Sequence, residues 1–227
     1  MIGSMLPVLY SFRRCPFAMR ARFALLAADC ACEWREVLLR DKPAALRAAS
    51  PKATVPVLVQ SNGQVIEQSL EIMLWALRQR DPMQWLAPRR GSLDDMLELV
   101  ARCDDSFKAD LDRYKYPDRF EGADAQRHRM AGMAFLDELD RRIAPEGHLF
   151  GPRPALADMA IAPFVRQFAQ VDAVWFEENA GPSLRGWLAV LTGSPLWDRA
   201  MHKQVPWKPC DPVCIFAGPE AAIARAT

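Results

Sequence analysis

From Pro7 to Arg80 the apolar residues of this chain change period repeatedly, whereas beyond Gly91 they keep a helical one. That contrast limits the fold more than any other feature. Pro7-Val8-Leu9-Tyr10-Ser11 is an apolar run of strand length, and the stripe Phe17, Ala21, Ala24, Leu25 and Ala28 has helical spacing. Glu33 to Val37 alternates as an edge strand does, and Pro43 to Ala49 is an alanine-rich helix opened by proline, where a missing N–H costs nothing. Val55 to Val59 and Gln64 to Ile66 flank Ser61-Asn62-Gly63, a hairpin signal, and Ser69 caps a helix running to Arg80. The order β-α-β-α-β-β-α suits a mixed four-stranded sheet covered by helices.

Residues 81–91 are rich in breakers and predict a linker. Helices are then expected over 92–114, 123–143, 156–171, 182–191 and 195–201, with no strand and an irregular tail from Pro206. The boundaries are an α/β domain over 1–81 and an all-helical domain over 91–227.

Lysine plus arginine, 29, nearly balances aspartate plus glutamate, 28, so no global field draws the chain to nucleic acid or an anionic membrane. The N-terminus lacks the basic start and apolar run of a secretory signal, and no stretch has the apolar length of a membrane helix. The six cysteines lack a disulfide-framework layout and read as reduced thiols, the expected setting being cytoplasmic. With His128, His148 and His202 scattered, no metal site emerges.

Arg13-Arg14-Cys15-Pro16-Phe17-Ala18 lies between a strand and a helix. Cys15 therefore falls at a helix N-terminus, where free N–H groups and the helix dipole favour a thiolate, with Arg13, Arg14, Arg20 and Arg22 nearby in sequence. Such a thiol titrates at about 3.5–7.5 rather than about 8.5. A buried, inert cysteine is the alternative. Ala18 stands where a Cys-x-x-Cys motif would put its second thiol, so any resolving thiol comes from solution. Pro56 opens a strand and is read as cis, which would leave the N–H and C=O of Val55 free; a trans proline on an edge strand is the other reading. Gln68 and Ser69 form a polar helix start suited to a carboxylate, although capping alone explains Ser69.

Three segments together resemble the cytosolic glutathione transferases, and among them the cysteine-type, omega-like branch: Tyr10 to Ala18, Leu39-Arg40-Asp41-Lys42-Pro43, and Pro51 to Leu58. The resemblance covers most of the chain. It implies a thioredoxin-like N-terminal domain, an all-α C-terminal domain, and glutathione as co-substrate. Cys15 would face the glutathione sulfur, Lys42 the glycine carboxylate, Val55 the cysteinyl backbone, and Gln68 with Ser69 the γ-glutamyl end. Phe107, Tyr114 and Tyr116 would border a co-substrate pocket, although packing explains such a stripe equally well. A homodimer is the accompanying expectation.

Two departures stand out. The family usually has Glu-Ser where this chain has Gln68-Ser69, so the glutathione ammonium lacks a charged partner there. Ala155-Leu156-Ala157-Asp158 resembles a Ser/Thr-x-x-Asp capping box without its hydroxyl. The activity implied is glutathione-dependent thiol transfer or reduction through a mixed disulfide on Cys15. Conjugation to electrophiles, or a non-catalytic binding protein that keeps this fold, are the alternatives.

Overall fold

The computed structural model describes residues 6–217. They form two compact units, one running up to Met83 and resuming at Pro195, the other Gln84–Ser194. The first is thioredoxin-like. Its strands are β1 (Val8–Ser11), β2 (Cys32–Glu36), β3 (Val57–Val59), β4 (Val65–Ile66) and β5 (Ile215–Phe216), in the order β4-β3-β1-β2-β5. β1 runs parallel to β2, with Tyr10 opposite Arg35, and antiparallel to β3, with Leu9 opposite Leu58. The helices are α1 (Pro16–Ala27), α2 (Ala44–Ala49), α3 (Ser69–Gln79) and the late α10 (Pro195–Ala200).

Alternation along β1 decides which helix each side chain meets. Tyr10 joins Val37, Leu46 of α2 and Val57 in one cluster, while Leu9 and Ser11 point to the opposite face. α1 is buried almost all round, arginines included, because it packs on α3 and on α10 as well as covering the sheet. Trp197 of α10 sits 4.8 Å from Phe23 of α1, ring centroid to centroid.

Three expectations change here. β5 pairs with β2, Cys32 opposite Phe216, so the sheet has five strands and β2 is not an edge. The stretch from Pro195 belongs with the sheet and not with the helical unit, so the 91–227 boundary does not hold. Pro43 and Gln68 occupy the N-cap positions of α2 and α3, and Ser69 lies inside its helix.

The second unit is helical: α4 (Leu93–Arg102), a π-helical turn (Cys103–Phe107), α5 (Lys108–Lys115), α6 (Ala125–Ile143), α7 (Leu156–Ala169), α8 (Ala173–Asn179) and α9 (Pro182–Thr192). The expected helix over 92–114 is thus broken by one widened turn, and α8 is an addition. Ser92 caps α4 in a full capping box with Asp95. α7 has half of one, because Asp158 takes the Ala155 amide while the alanine methyl offers nothing in return. Fully buried, Asp158 also accepts from the Leu149 amide and Trp187 Nε1; burial raises its carboxyl above the usual range against those bonds. Phe107, Phe135, Phe168 and Phe176 stack as the centre of this unit. No helix among the described residues is long and apolar enough to cross a membrane.

Candidate active site

Cys15 occupies the N-cap position of α1 with an extended backbone, and Pro16 follows at the first helical position. The chain reaches it through a tight turn, the Cys15 amide donating to the Phe12 carbonyl at 3.1 Å. Its thiol is half-buried and lies 3.7 Å from the Val55 carbonyl oxygen. The Val55–Pro56 peptide is cis. Cys15 and Val55, 40 residues apart, therefore face each other from the loops after β1 and before β3.

Two buried charges hold the turn from opposite sides. Arg22, fully buried two turns along α1, donates from Nη1 to Ser11 Oγ and to the Phe12 carbonyl at 3.3 Å, and from Nη2 to the Arg13 carbonyl at 2.7 Å. Its Nε donates to the Ala200 carbonyl of α10, also at 2.7 Å, and its guanidinium lies over the Trp34 ring. Glu36, at the end of β2, accepts from the Arg13 amide at 2.7 Å and from Trp34 Nε1 at 3.1 Å. Burial dominates both titrations: it lowers Arg22 to about 10 while Glu36 and Cys15 oppose it, and it raises Glu36 against the pull of Arg13, Arg22 and Trp34.

Ser69 is buried, and its hydroxyl accepts from Arg20 Nε at 2.8 Å instead of capping α3. Arg20, itself buried, lies over the Phe17 ring. Gln68 is exposed at the helix entrance, and its neighbour Glu67 takes the hydroxyl of Ser50. Lys42 is half-buried, one residue beyond the Leu38–Asp41 bridge.

The three aromatics named from the sequence lie in the helical unit and have different environments. Phe107 is core, 5.0 Å from Phe135 and 5.6 Å from Phe168. Tyr114 packs 5.0 Å from Phe168, its hydroxyl buried beside Arg129 without a well-formed hydrogen bond; burial raises the phenol and Arg129 opposes the rise. Both rings are thus buried against Phe168. Tyr116 is half-buried, with the Arg119 guanidinium 4.1 Å from its ring centroid.

Among the other thiols, burial pushes Cys30 and Cys32 up, while Cys103 is buried and Cys210 exposed. The described residues contain no cluster of metal-ligating side chains. The sequence reading missed Glu36 and Ser11, and it took Arg22 only as one of four basic neighbours. Two arginines two positions apart in an otherwise apolar helix were the available signal, since such a spacing cannot put both on a solvent face.

Comparison with known proteins adds the following. Residues 9–85 match the family model described as "Glutathione S-transferase, N-terminal domain", and residues 122–189 match its C-terminal counterpart. A search of curated protein sequences finds no match. Among solved structures, a glutathione transferase family member from Pseudomonas fluorescens with two glutathione molecules bound is 16% identical, at a TM-score of 0.74 over 88% of this chain and 94% of that one. Glutathione transferase Omega 3C from Trametes versicolor is 19% identical, also at 0.74, over 87% and 90%. A glutathione S-transferase from Rhodospirillum rubrum is 22% identical at 0.67, over 91% and 96%.

Proposed function

This chain belongs to the glutathione S-transferase family, and on that footing we propose that it is a glutathione-dependent thiol transferase of the cysteine type, acting through Cys15. The observation that carries the reading is the placement of the Cys15 thiol at the N-terminus of α1, facing the Val55 carbonyl. Glutathione lies along the first unit as co-substrate, its cysteinyl backbone on Val55, its γ-glutamyl carboxylate at Ser69 and its glycine carboxylate toward Lys42.

The chemistry is two thiol–disulfide exchanges. In the first, the Cys15 thiolate attacks the glutathionyl sulfur of a mixed disulfide. The Cys15–glutathione bond forms, the bond to the second sulfur breaks, and that sulfur leaves as a thiolate that takes a proton from water. In the second, the thiolate of another glutathione attacks the glutathionyl sulfur of the adduct, giving glutathione disulfide and regenerating the Cys15 thiolate. Ala18 provides no thiol to intercept the adduct, so it waits for free glutathione.

The test is turnover of a glutathione mixed disulfide by the purified protein and by Cys15→Ser. Loss of turnover in a folded serine variant supports the reading. Full turnover there sinks it, and absence of turnover in the unaltered protein favours the binding-protein alternative. Conjugation of glutathione to an electrophile by Cys15→Ser would support the second enzymatic alternative.

A further inference from the structure

We propose that Arg22 is a positioning residue for the reaction: it fixes the Ser11–Cys15 turn in one conformation and keeps a permanent positive charge behind the Cys15 thiol. The inference rests on the reading of Cys15 as the reacting thiol. It starts from a cost, because a fully buried guanidinium is retained only when its donors are used and its charge is answered. Here three of the five hydrogen bonds go to the turn itself, and the other two to Ala200 and Met201. Ser11 Oγ, the Phe12 carbonyl and the Arg13 carbonyl are consecutive acceptors leading to Cys15, and the Phe12 carbonyl also takes the Cys15 amide. A planar fork that meets three successive residues leaves the turn little freedom, which a flexible ammonium could not reproduce.

Two groups of opposite charge answer it. The charged and titratable groups facing Arg22 are Glu36 from β2 and Arg13 and Cys15 from the turn. α10 and its following residue offer the Ala200 carbonyl and the Met201 thioether, and β2 also offers the face of Trp34. Glu36 is the foremost opposite charge acting on Arg22, and it is itself engaged by the Arg13 amide and Trp34 Nε1. The anion that completes the set is the thiolate. Arg22 and Glu36 thus grip the same turn, one by its carbonyls and one by an amide, but with opposite charge. That opposition makes the electrostatic part of the role separable from the structural part.

The experiment follows iodoacetamide labelling of Cys15 by mass spectrometry against pH, in the full chain and in Arg22→Met, Arg22→Lys and Glu36→Gln, each checked for a cooperative thermal transition. Removing a nearby opposite charge raises a thiol's titration midpoint, so Arg22→Met should move it up by about one unit or more. At a pH below the midpoint that is a roughly tenfold loss of thiolate. Arg22→Lys keeps the charge and should recover part of the shift, and Glu36→Gln should move the midpoint down. Loosening of the turn alone would move Arg22→Met and Glu36→Gln in the same direction. An unchanged midpoint in Arg22→Met, or a raised one in Glu36→Gln, overturns the proposal. Should Arg22→Met fail to fold, Arg22→Gln decides by the same measurement, an unchanged midpoint there overturning the proposal as well. If the Arg22 variants behave like the unaltered protein while Cys15→Ser is inactive, only this inference fails; if Cys15→Ser turns over normally, the thiol-transfer reading fails with it.

Discussion

At the scale of single residues, the question is what separates Cys15 from the other thiols. Cys15 sits at the N-terminus of α1 and follows a turn held by buried charge, whereas burial pushes the Cys30 and Cys32 thiols up. Cys15 should therefore be the first residue alkylated at neutral pH, ahead of the exposed Cys210, and glutathione disulfide should protect it. Site-resolved mass spectrometry reads both, and faster labelling of Cys210 would contradict the assignment. Gln68 allows a second prediction. It is exposed at the entrance of α3, so Gln68→Glu exchanges a neutral acceptor for a charged one without disturbing packing. If the glutathione ammonium reaches it, binding should tighten by about 1 kcal/mol in calorimetry, a dissociation constant roughly fivefold lower. An unchanged constant would place the ammonium elsewhere. The Cys15-Pro16 junction was legible in the sequence because a change of period coincides with a helix-opening proline. For Arg22 the spacing with Arg20 hints at burial, but its role was not legible, because its acceptors, Ala200 among them, are brought together only by the fold.

At the scale of elements, helix starts were read where a sustained apolar period follows them, whether the cap is local, as at α4, or comes from another element, as at α9. Ser92 with Asp95 is local and was legible. α8 begins at Asp172, whose carboxylate accepts from the Trp175 amide, but seven residues are too few for a clear period and it was missed. The widened turn at Cys103–Phe107 contains no glycine or proline, so the sequence read straight across it. α9 is capped from outside: Asp140 of α6 accepts from the Leu184 amide at 2.8 Å, close to the helix start at Gly181. A Cβ on Gly181 would lie 2.1 Å from Asp140 Cγ, although the backbone there suits any residue. Gly181→Ala must push the carboxylate away, losing the cap and straining the α6–α9 packing. It should cost about 1–3 kcal/mol, read as a lower midpoint in urea with unchanged slope. A variant as stable as the original would show that Asp140 can shift without leaving the Leu184 amide.

At the scale of the whole molecule, the sheet unit is not contiguous in sequence, and this is what the sequence concealed most thoroughly. β5 is two residues long and carries no periodicity, so its pairing with β2 becomes visible only when the chain returns. The return matters energetically. Trp197 packs on Phe23, Phe216 packs edge-on to Trp34 at 4.8 Å, Trp207 stacks over the Arg35 guanidinium, and the Ala200 carbonyl takes Arg22 Nε. Burying Trp197 and Phe216 contributes about 1.5–3 kcal/mol each, against a total of about 5–15 kcal/mol for a typical domain. Without the returning segment Arg22 also keeps a buried donor with no acceptor, a penalty of about 1–3 kcal/mol or more because the group is charged. A fragment ending at Met83 should therefore lack a cooperative thermal transition and leave Trp34 accessible to quenchers, although it retains every residue assigned here to glutathione. Gln84–Ser194 should melt cooperatively by itself, because its helices share one aromatic centre and no helix of the unit comes from outside it. Circular dichroism and fluorescence of the two fragments measure this directly. Cooperative melting of the fragment ending at Met83 would mean that the returning segment adds to a domain already complete. Failure there, with recovery on adding a peptide covering 195–217, would show that the thiol site depends on residues more than a hundred positions away in sequence.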